Sequence, residues 1–310
     1  MNQILNGIIV PMVTPLKDQD NLDIQGLEHL IEHLVDGGVH GVFILGTTGE
    51  APALSYKLRY ELVERVCNQV NKRIPVLVGI TDTSQIESLK LAEKASQCGA
   101  DTVVAAPPYY FTPTQDDLKR HFTSLADRSS IPLFLYNMPS HTKVSFEPDT
   151  VKNLANHENI VGLKDSSGDL IYFQKVVQLM AKKPDFTLLM GPEELLMQSV
   201  LSGSHGGVPG GANLFPKLYV DMYEAADSRD TMKMETLQNQ IMQISSTIYS
   251  VGTYGAGYLK GLKCALSLMG ICSDVLTAPM KSFGDKERGM IRGFLGKNKT
   301  ENVMQNFTSQ

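Results

Sequence analysis

Residues 160–182 read IVGLKDSSGDLIYFQKVVQLMAK and contain one complete strand-and-helix unit. The run Ile160–Lys164 is apolar up to its last residue and does not alternate with polar residues. Such a continuous run is typical of a parallel strand that is covered on both faces. Asp169–Lys182, which follows it, is predicted to be a helix. The stretch therefore predicts a βα unit whose strand ends in a lysine.

The same order recurs along the chain at intervals of roughly 20–35 residues, the length of a βα unit. Runs rich in Val, Ile and Leu predict eight strands: Gly7–Leu16, Gly41–Gly46, Val76–Ile80, Thr102–Pro107, Pro132–Tyr136, Ile160–Lys164, Thr187–Gly191 and Gly206–Gly210. Helix signals lie between them, including the capping-box pairs Ser84 with Glu87 and Thr114 with Asp117.

Eight strands, each followed by a helix, predict an α/β fold, the (β/α)8 or TIM barrel. The open doubly wound sheet is the alternative. The barrel is favoured because the count is eight and because no GxGxxG motif follows the first strand.

The remainder of the chain contains no clear strand pattern and predicts a C-terminal helical extension. Its helices are expected at Lys217–Asp227, Met232–Ser250 and Gly257–Met269. No low-complexity linker separates the two parts. We therefore expect a barrel core over residues 1–214, with residues 215–310 packed on it.

Composition excludes several classes of protein. Of the 310 residues 42% are hydrophobic and 20% charged, which is a globular composition and not that of a disordered chain, a collagen or a coiled coil. The net charge of −5, without a basic run, argues against nucleic-acid binding. No apolar stretch approaches the ~20 residues that span a bilayer. The first 16 residues lack a signal-peptide pattern, and the four cysteines show no CxxC spacing, so a cytoplasmic protein with reduced thiols is expected.

In a barrel of this kind the chemistry lies at the carboxyl ends of the strands. Lys164 ends an apolar strand there, and an inward-pointing amine would be costly unless it were paired or neutral. A neutral amine can attack a ketone and form a Schiff base. Tyr136 ends the neighbouring strand and could move the protons. The alternatives are a Lys164 that points to solvent or pairs with Asp165, and a Tyr136 that is a core aromatic.

The turn Gly46–Gly49 after the second strand carries the hydroxyls of Thr47 and Thr48. Successive backbone N–H groups in such a turn can bind an anion, and a substrate carboxylate would fit there. The alternative is a tight glycine turn whose threonines bond locally.

Four motifs together give a specific resemblance. GTTGE at 46–50, PYY at 108–110, YNMPS at 136–140 and GLKDSS at 162–167 occur in order and at the right spacing. The chain, from Gly7 to about Gly270, resembles the dihydrodipicolinate synthase and N-acetylneuraminate lyase family.

This resemblance implies a class I aldolase without a metal or other cofactor, usually a homotetramer. Lys164 would form the Schiff base with pyruvate or another 2-oxo acid, and Tyr136 would shuttle protons. Thr47 and Thr48 would hold the carboxylate of the 2-oxo acid. Tyr110 would reach into the site of a neighbouring subunit, so a homo-oligomer (dimer or tetramer) is expected. Val208 would contact pyruvate.

Two positions bear on the second substrate. His141 stands where the lysine-pathway synthases of the family carry an arginine that grips a substrate carboxylate, and histidine offers no permanent charge. Glu193 and Glu194 stand where sialic acid lyases place an acidic pair on substrate hydroxyls. Either feature also has a plain structural explanation, a surface turn for His141 and a first helical turn for the acids.

These observations favour a pyruvate-dependent lyase that cleaves or forms a 2-keto-3-deoxy sugar acid, sialic acid (N-acetylneuraminate) included. The alternative is 4-hydroxy-tetrahydrodipicolinate synthase, which joins pyruvate and aspartate semialdehyde. A dehydratase would use the same Schiff base. A non-catalytic binding protein on this barrel is disfavoured, because a binder has no need of a buried amine.

Overall fold

The computed structural model describes residues 5–252 and 257–300, with backbone alone over 297–300. Eight parallel strands close into a barrel in chain order, each paired with the next and the last with the first. They are β1 (Gly7–Pro11), β2 (Gly41–Ile44), β3 (Val76–Gly79), β4 (Thr102–Ala105), β5 (Leu133–Asn137), β6 (Ile160–Asp165), β7 (Thr187–Met190) and β8 (Gly206–Gly207). The predicted (β/α)8 barrel is confirmed.

Helices follow the strands on the outside of the barrel. They are α1 (Ile24–Asp36), α2 (Tyr56–Val70), α3 (Gln85–Gln97), α4 (Gln115–Arg128), α5 (Pro139–Thr142), α6 (Pro148–Leu154), α7 (Leu170–Met180), α8 (Leu196–Leu201), α9 (Pro216–Asp227), α10 (Thr231–Thr247), α11 (Gly257–Leu268) and α12 (Asp285–Thr300). The capping box of Thr114 with Asp117 is present at the start of α4. Ser84 caps α3 by accepting a hydrogen bond from the Glu87 N–H at 3.4 Å.

The first predicted strand, Gly7–Leu16, was too long. β1 ends at Pro11, and Leu16–Asp18 instead pairs antiparallel with Asn21–Leu22 in a separate two-stranded hairpin. The Met12 N–H makes the last bond of β1 to β2, to the Phe43 carbonyl at 3.0 Å, and Pro15 further on has no N–H to donate to a strand ladder.

The predicted helix Pro192–Leu201 is two elements. A 3₁₀ turn at Glu193–Leu195 comes first, and α8 begins at Leu196.

The C-terminal part is helical, and residues 215–252 and 257–300 contain no strand. α9 packs on β1 and on α8, which is the place of the eighth helix of a barrel. α10 packs on α9, and α11 packs on α12. The boundary between residues 214 and 215 stays a prediction.

Side chains that point to the barrel axis form their own apolar cluster, apart from the larger cluster under the helices. On β1, Ile9 belongs to the inner cluster and Ile8 and Val10 to the outer one. This alternation is expected of a strand with both faces buried. On β6 it places Leu163 under the helices and the next residue, Lys164, toward the axis.

Candidate active site

A cavity of about 830 Å³ lies at the carboxyl ends of the barrel strands. Eight of the nine residues predicted for the site line it: Thr47, Thr48, Tyr136, His141, Lys164, Glu193, Glu194 and Val208. The ninth, Tyr110, does not line the cavity of its own chain. The fold therefore brings together residues that are up to 161 positions apart in the sequence, from Thr47 to Val208.

Lys164 and Tyr136 lie side by side in the wall of this cavity. They are paired residues on β6 and β5, and both are buried. The Lys164 Nζ lies 4.1 Å from the centre of the Tyr136 ring and 5.0 Å from that of Phe43. The Tyr136 hydroxyl lies 3.2 Å from Thr47 Oγ1. A primary amine thus lies over the ring of a tyrosine whose hydroxyl contacts that of a threonine.

Asp165, the residue after Lys164, does not pair with it. The Asp165 carboxylate accepts hydrogen bonds from Asn137 Nδ2 at 2.8 Å and from Ser167 Oγ at 2.9 Å. Burial raises the pKa of Asp165, and these hydrogen bonds oppose the rise. Among the residues described, no carboxylate forms an ion pair with Lys164. The amine is therefore neither a surface lysine nor half of an ion pair with Asp165.

Asn137 fixes the strand ends that carry Tyr136 and Lys164. It is fully buried, donates to Asp165 across β5 and β6, and accepts from the Phe146 N–H at 3.1 Å. Since Asn137 and Asp165 directly follow Tyr136 and Lys164, this side-chain bond holds the two strands in register where the chemistry would occur.

The turn that carries the threonines is strained. Leu45, just before it, has φ of 57°, in the left-handed region that costs a non-glycine residue ~1–2 kcal/mol. The Leu45 carbonyl approaches Gly79 on β3, where a Cβ would lie only 2.0 Å from it. Glycine at position 79 therefore permits the close turn that presents Thr47 and Thr48 to the cavity.

A buried ion pair anchors the far end of this turn. Glu50 Oε1 accepts from Lys263 Nζ at 2.6 Å, and Glu50 Oε2 accepts from the N–H and hydroxyl of Thr277, both at 2.8 Å. Lys263 also donates to the carbonyls of Thr14 and Val275. This anchor was not predicted from the sequence, although a lysine inside the apolar stripe of α11 was a signal for it.

Tyr258, at the start of α11, is a second residue that the sequence analysis missed. Its hydroxyl lies 3.1 Å from Thr48 Oγ1, and the residue lines the cavity. Each of the two threonines thus contacts a different tyrosine hydroxyl.

Glu193 is buried, and its carboxylate is occupied by protein groups. Oε1 accepts from Tyr219 at 2.5 Å and from Tyr249 at 2.9 Å, and Oε2 accepts from the Gly211 N–H at 2.7 Å. Burial raises the pKa of Glu193 to about 7. These contacts favour a structural role for Glu193 over the predicted contact with substrate hydroxyls.

Glu194 is half-buried at the cavity wall. Its Oε1 accepts from Ser245 Oγ on α10 at 2.5 Å. Among the described residues, no second hydrogen bond reaches its carboxylate, so the predicted contact with a substrate hydroxyl is compatible with its position.

His141 and Lys143 lie at the exposed rim of the cavity, on and just after the short helix α5. His141 Nδ1 lies 2.9 Å from Ser140 Oγ. Loss of solvent around the ring lowers the pKa of His141, and the charge of Lys143 lowers it further. His141 is therefore neutral at neutral pH, and Lys143 carries the positive charge of this turn.

Val208 and Tyr110 differ in exposure. Val208, just after β8, is buried and lines the cavity, where pyruvate contact was predicted. Tyr110 is 78% exposed and packs edge-on against the equally exposed Phe111. Neighbouring Tyr109 lines the cavity instead.

The described residues hold neither a cluster of metal ligands nor a membrane-spanning helix. They contain no cluster of three or more His, Cys, Asp and Glu side chains placed to hold a metal ion. None of the helices within them is long and apolar enough to cross a membrane. All four cysteines are free thiols, as predicted.

The chain is similar to solved structures over nearly its whole length. Dihydrodipicolinate synthase from Bacteroides thetaiotaomicron matches with a TM-score of 0.93 and 54% identity, over 96% of this chain and 100% of that one. A prophage protein of the dihydrodipicolinic acid synthase family from E. coli K12, solved in complex with pyruvate, matches with a TM-score of 0.90 and 29% identity, over 96% and 99% of the two chains.

Sequence comparison agrees. The 4-hydroxy-tetrahydrodipicolinate synthase of Geobacter metallireducens is 35% identical over 281 residues, which is 91% of this chain and 94% of that protein. The protein of the same name from Neisseria meningitidis serogroup B is 31% identical over 94% of this chain and 98% of its own length. The model of the dihydrodipicolinate synthetase family matches residues 4–297. The chain belongs to the dihydrodipicolinate synthetase family, whose members are class I aldolase-type enzymes on a (β/α)8 barrel.

Proposed function

We propose that this enzyme binds pyruvate as a Schiff base on Lys164 and joins it to an aldehyde. The observation that carries the proposal is the meeting of the Lys164 amine, the Tyr136 hydroxyl and Thr47 Oγ1 in one cavity. A buried amine that no carboxylate holds in an ion pair is free to attack the carbonyl carbon of a substrate in the cavity.

The proposed chemistry uses only groups of the chain. The Lys164 nitrogen attacks the keto carbon of pyruvate and water leaves, which forms the imine. Loss of a methyl proton gives the enamine, whose carbon attacks the aldehyde carbon of the second substrate. Tyr136 supplies the proton that the new alkoxide takes up, and Thr47 bridges to Tyr136 through their hydroxyls. Thr48 and Val208 contact the 2-oxo acid.

We propose aspartate semialdehyde as the preferred candidate for the aldehyde that reacts with the bound pyruvate. The relatives from Geobacter metallireducens and Neisseria meningitidis are named 4-hydroxy-tetrahydrodipicolinate synthase, which supports the synthase over the sugar-acid lyase that the sequence alone favours. After condensation the amino group of the semialdehyde would attack the imine carbon, close the ring and release Lys164 as a free amine.

Lys143 gives this assignment a physical basis. Aspartate semialdehyde carries a carboxylate, and neutral His141 is a poor replacement for the arginine that holds it in other synthases. Lys143 lies two residues further on, at the same rim, and donates to the Ser140 carbonyl at 2.8 Å. Its ammonium retains donors for a substrate carboxylate.

A 2-keto-3-deoxy sugar-acid lyase, or a dehydratase on such an acid, is the second candidate. Glu194 at the cavity wall favours it, because a carboxylate accepts hydrogen bonds from a polyol. The missing arginine at position 141 points the same way.

The active form is proposed to be a homo-oligomer, a dimer or a tetramer, located in the cytoplasm and without a metal cofactor. The support for association is the exposed pair Tyr110 and Phe111, since adjacent exposed aromatics are costly to leave in water. In a dimer Tyr110 would complete the site of the partner. Light scattering tests this, and a fully active monomer would contradict it.

The substrate assignment is tested by assaying one preparation with pyruvate plus aspartate semialdehyde and, in the cleavage direction, with a panel of 2-keto-3-deoxy acids and sialic acid. We expect kcat/KM for aspartate semialdehyde to reach ~10⁴ M⁻¹s⁻¹ or more. A higher value for a sugar acid would reverse the ranking.

A further inference from the structure

The two threonines of the cavity turn are held by tyrosines from different parts of the fold. Thr47 Oγ1 contacts Tyr136 of the barrel at 3.2 Å, and Thr48 Oγ1 contacts Tyr258 of α11 at 3.1 Å. We infer that Tyr258 is a positioning residue that donates its O–H to Thr48 and thereby directs the Thr48 hydroxyl hydrogen to the carboxylate of the bound 2-oxo acid. The inference rests on the proposed function.

Hydrogen-bond accounting gives the direction of this bond. A threonine hydroxyl has one hydrogen to donate, and a carboxylate can only accept. If Thr48 donates to the substrate carboxylate, its bond with Tyr258 must be one in which Tyr258 donates. Loss of solvent and the nearby charge of Glu193 raise the pKa of Tyr258, so the phenol keeps its hydrogen.

Tyr258 is held in place on two further sides. Its ring packs edge-on against Tyr249 at 4.7 Å, and Tyr249 is itself fixed by its bond to Glu193. At Gly210 a Cβ would lie 1.7 Å from the Tyr258 hydroxyl oxygen, so this hydroxyl lies directly against the Gly210 backbone. The buried cluster around Glu193 therefore orients a hydroxyl of the cavity without contacting substrate.

The two tyrosines are expected to affect different steps. Tyr136 must exchange protons during the reaction, and Thr47 is bonded to it. Thr48, bonded to Tyr258, takes no part in that exchange and serves binding. Loss of the Tyr258 hydroxyl should therefore weaken binding of the 2-oxo acid more than it slows turnover.

The test measures the pyruvate concentration that gives half-maximal borohydride trapping on Lys164. Tyr258→Phe keeps the ring against Tyr249 and removes the hydroxyl. We expect this concentration to rise roughly three- to tenfold, as for the loss of one neutral hydrogen bond, with the maximal extent of trapping unchanged. Tyr223→Phe is the matched control, because Tyr223, on α9, packs edge-on against His40 and does not line the cavity.

A double-mutant cycle identifies the route of the effect. Tyr258→Phe should add nothing in a Thr48→Val background, which has no hydroxyl to orient, and should act as in wild type in Thr48→Ser, which keeps one. An unchanged half-maximal concentration in Tyr258→Phe, or full additivity with Thr48→Val, would overturn the inference while leaving the proposed function intact. Absence of trapping in wild type would overturn both.

Discussion

Tyr136 and Lys164 are paired residues on neighbouring barrel strands, and the Lys164 amine lies 4.1 Å from the centre of the Tyr136 ring. Each is the penultimate residue of its strand, and the residues that follow them, Asn137 and Asp165, are joined by a side-chain hydrogen bond of 2.8 Å. The relative position of the amine and the phenol is therefore set by strand pairing and not by a loop. Such rigidity suits an active site, because reacting groups that are already held in the productive geometry lose less entropy when they react.

Removal of the Tyr136 hydroxyl should slow turnover without abolishing the fold. In Tyr136→Phe the ring keeps its edge-on packing against Phe43, and only the hydroxyl that contacts Thr47 is lost. A positioned proton shuttle contributes ~10²–10⁴-fold, so we expect kcat to fall within that range in steady-state assays. Tyr223→Phe should retain normal turnover. A near-normal kcat in Tyr136→Phe would make Tyr136 a packing residue only.

Replacement of Lys143 should impair use of aspartate semialdehyde selectively. Lys143→Met removes the charge at the cavity rim, and loss of a charged hydrogen bond costs ~1.5–3 kcal/mol, or roughly ten- to more than a hundredfold in kcat/KM for the semialdehyde. The KM for pyruvate should hardly change.

Lys152→Met, on the exposed face of α6, is the matched control for this change, because Lys152 is an exposed lysine that does not line the cavity. His141→Arg should raise kcat/KM for the semialdehyde, since it supplies a permanent charge at the same rim. Equal losses in Lys143→Met and Lys152→Met would contradict the assignment.

The buried carboxyl of Glu193 should make stability depend on pH. Burial raises its pKa from the usual 4.5 to about 7, so the folded state holds this proton more tightly than the unfolded state. The stabilisation is therefore full below pH 4.5 and is lost as the pH rises through 7. Between pH 5 and pH 8 the free energy of unfolding of wild type should fall by roughly 2–3 kcal/mol relative to Glu193→Gln. Urea unfolding of both proteins at the two pH values measures this, and parallel pH profiles would refute it.

Breaking the buried ion pair behind the threonine turn should be strongly destabilising. Lys263→Met leaves the Glu50 charge buried without its partner, which costs ~3–5 kcal/mol. Lys217→Met removes an exposed lysine that pairs with Asp221 on α9 and should change the free energy of unfolding by ~0.5 kcal/mol or less. Denaturant unfolding compares the two variants. A similar loss in both would mean that the buried pair does not anchor the turn.

The barrel and the centre of the site could be predicted from the sequence, because both leave local signals. Strands covered on both faces read as continuous apolar runs, and a lysine that ends such a run, as Lys164 does, stands out. The first strand was predicted to be too long, and the signal that should have shortened it is also local. Pro11 and Pro15 interrupt the run, and neither has an N–H to donate to a strand ladder.

The contacts that hold the threonine turn of the cavity in place could not be predicted, because they join distant parts of the chain. Glu50 and Lys263 are 213 positions apart, and Thr48 and Tyr258 are 210 apart. No periodicity links such pairs. Glu193 shows the same limit: an acid in a first helical turn is compatible with substrate binding until the fold surrounds it with tyrosines.

The central claim is that Lys164 is the residue that forms the imine. Incubation with pyruvate and borohydride, followed by peptide mass spectrometry, tests it most directly. We predict a stable pyruvyl adduct on the peptide that contains Lys164, and none on that peptide in Lys164→Arg, which keeps a positive charge but has no amine nucleophile at neutral pH. An unmodified Lys164 in wild type, or an adduct on another lysine such as Lys143, would contradict the account.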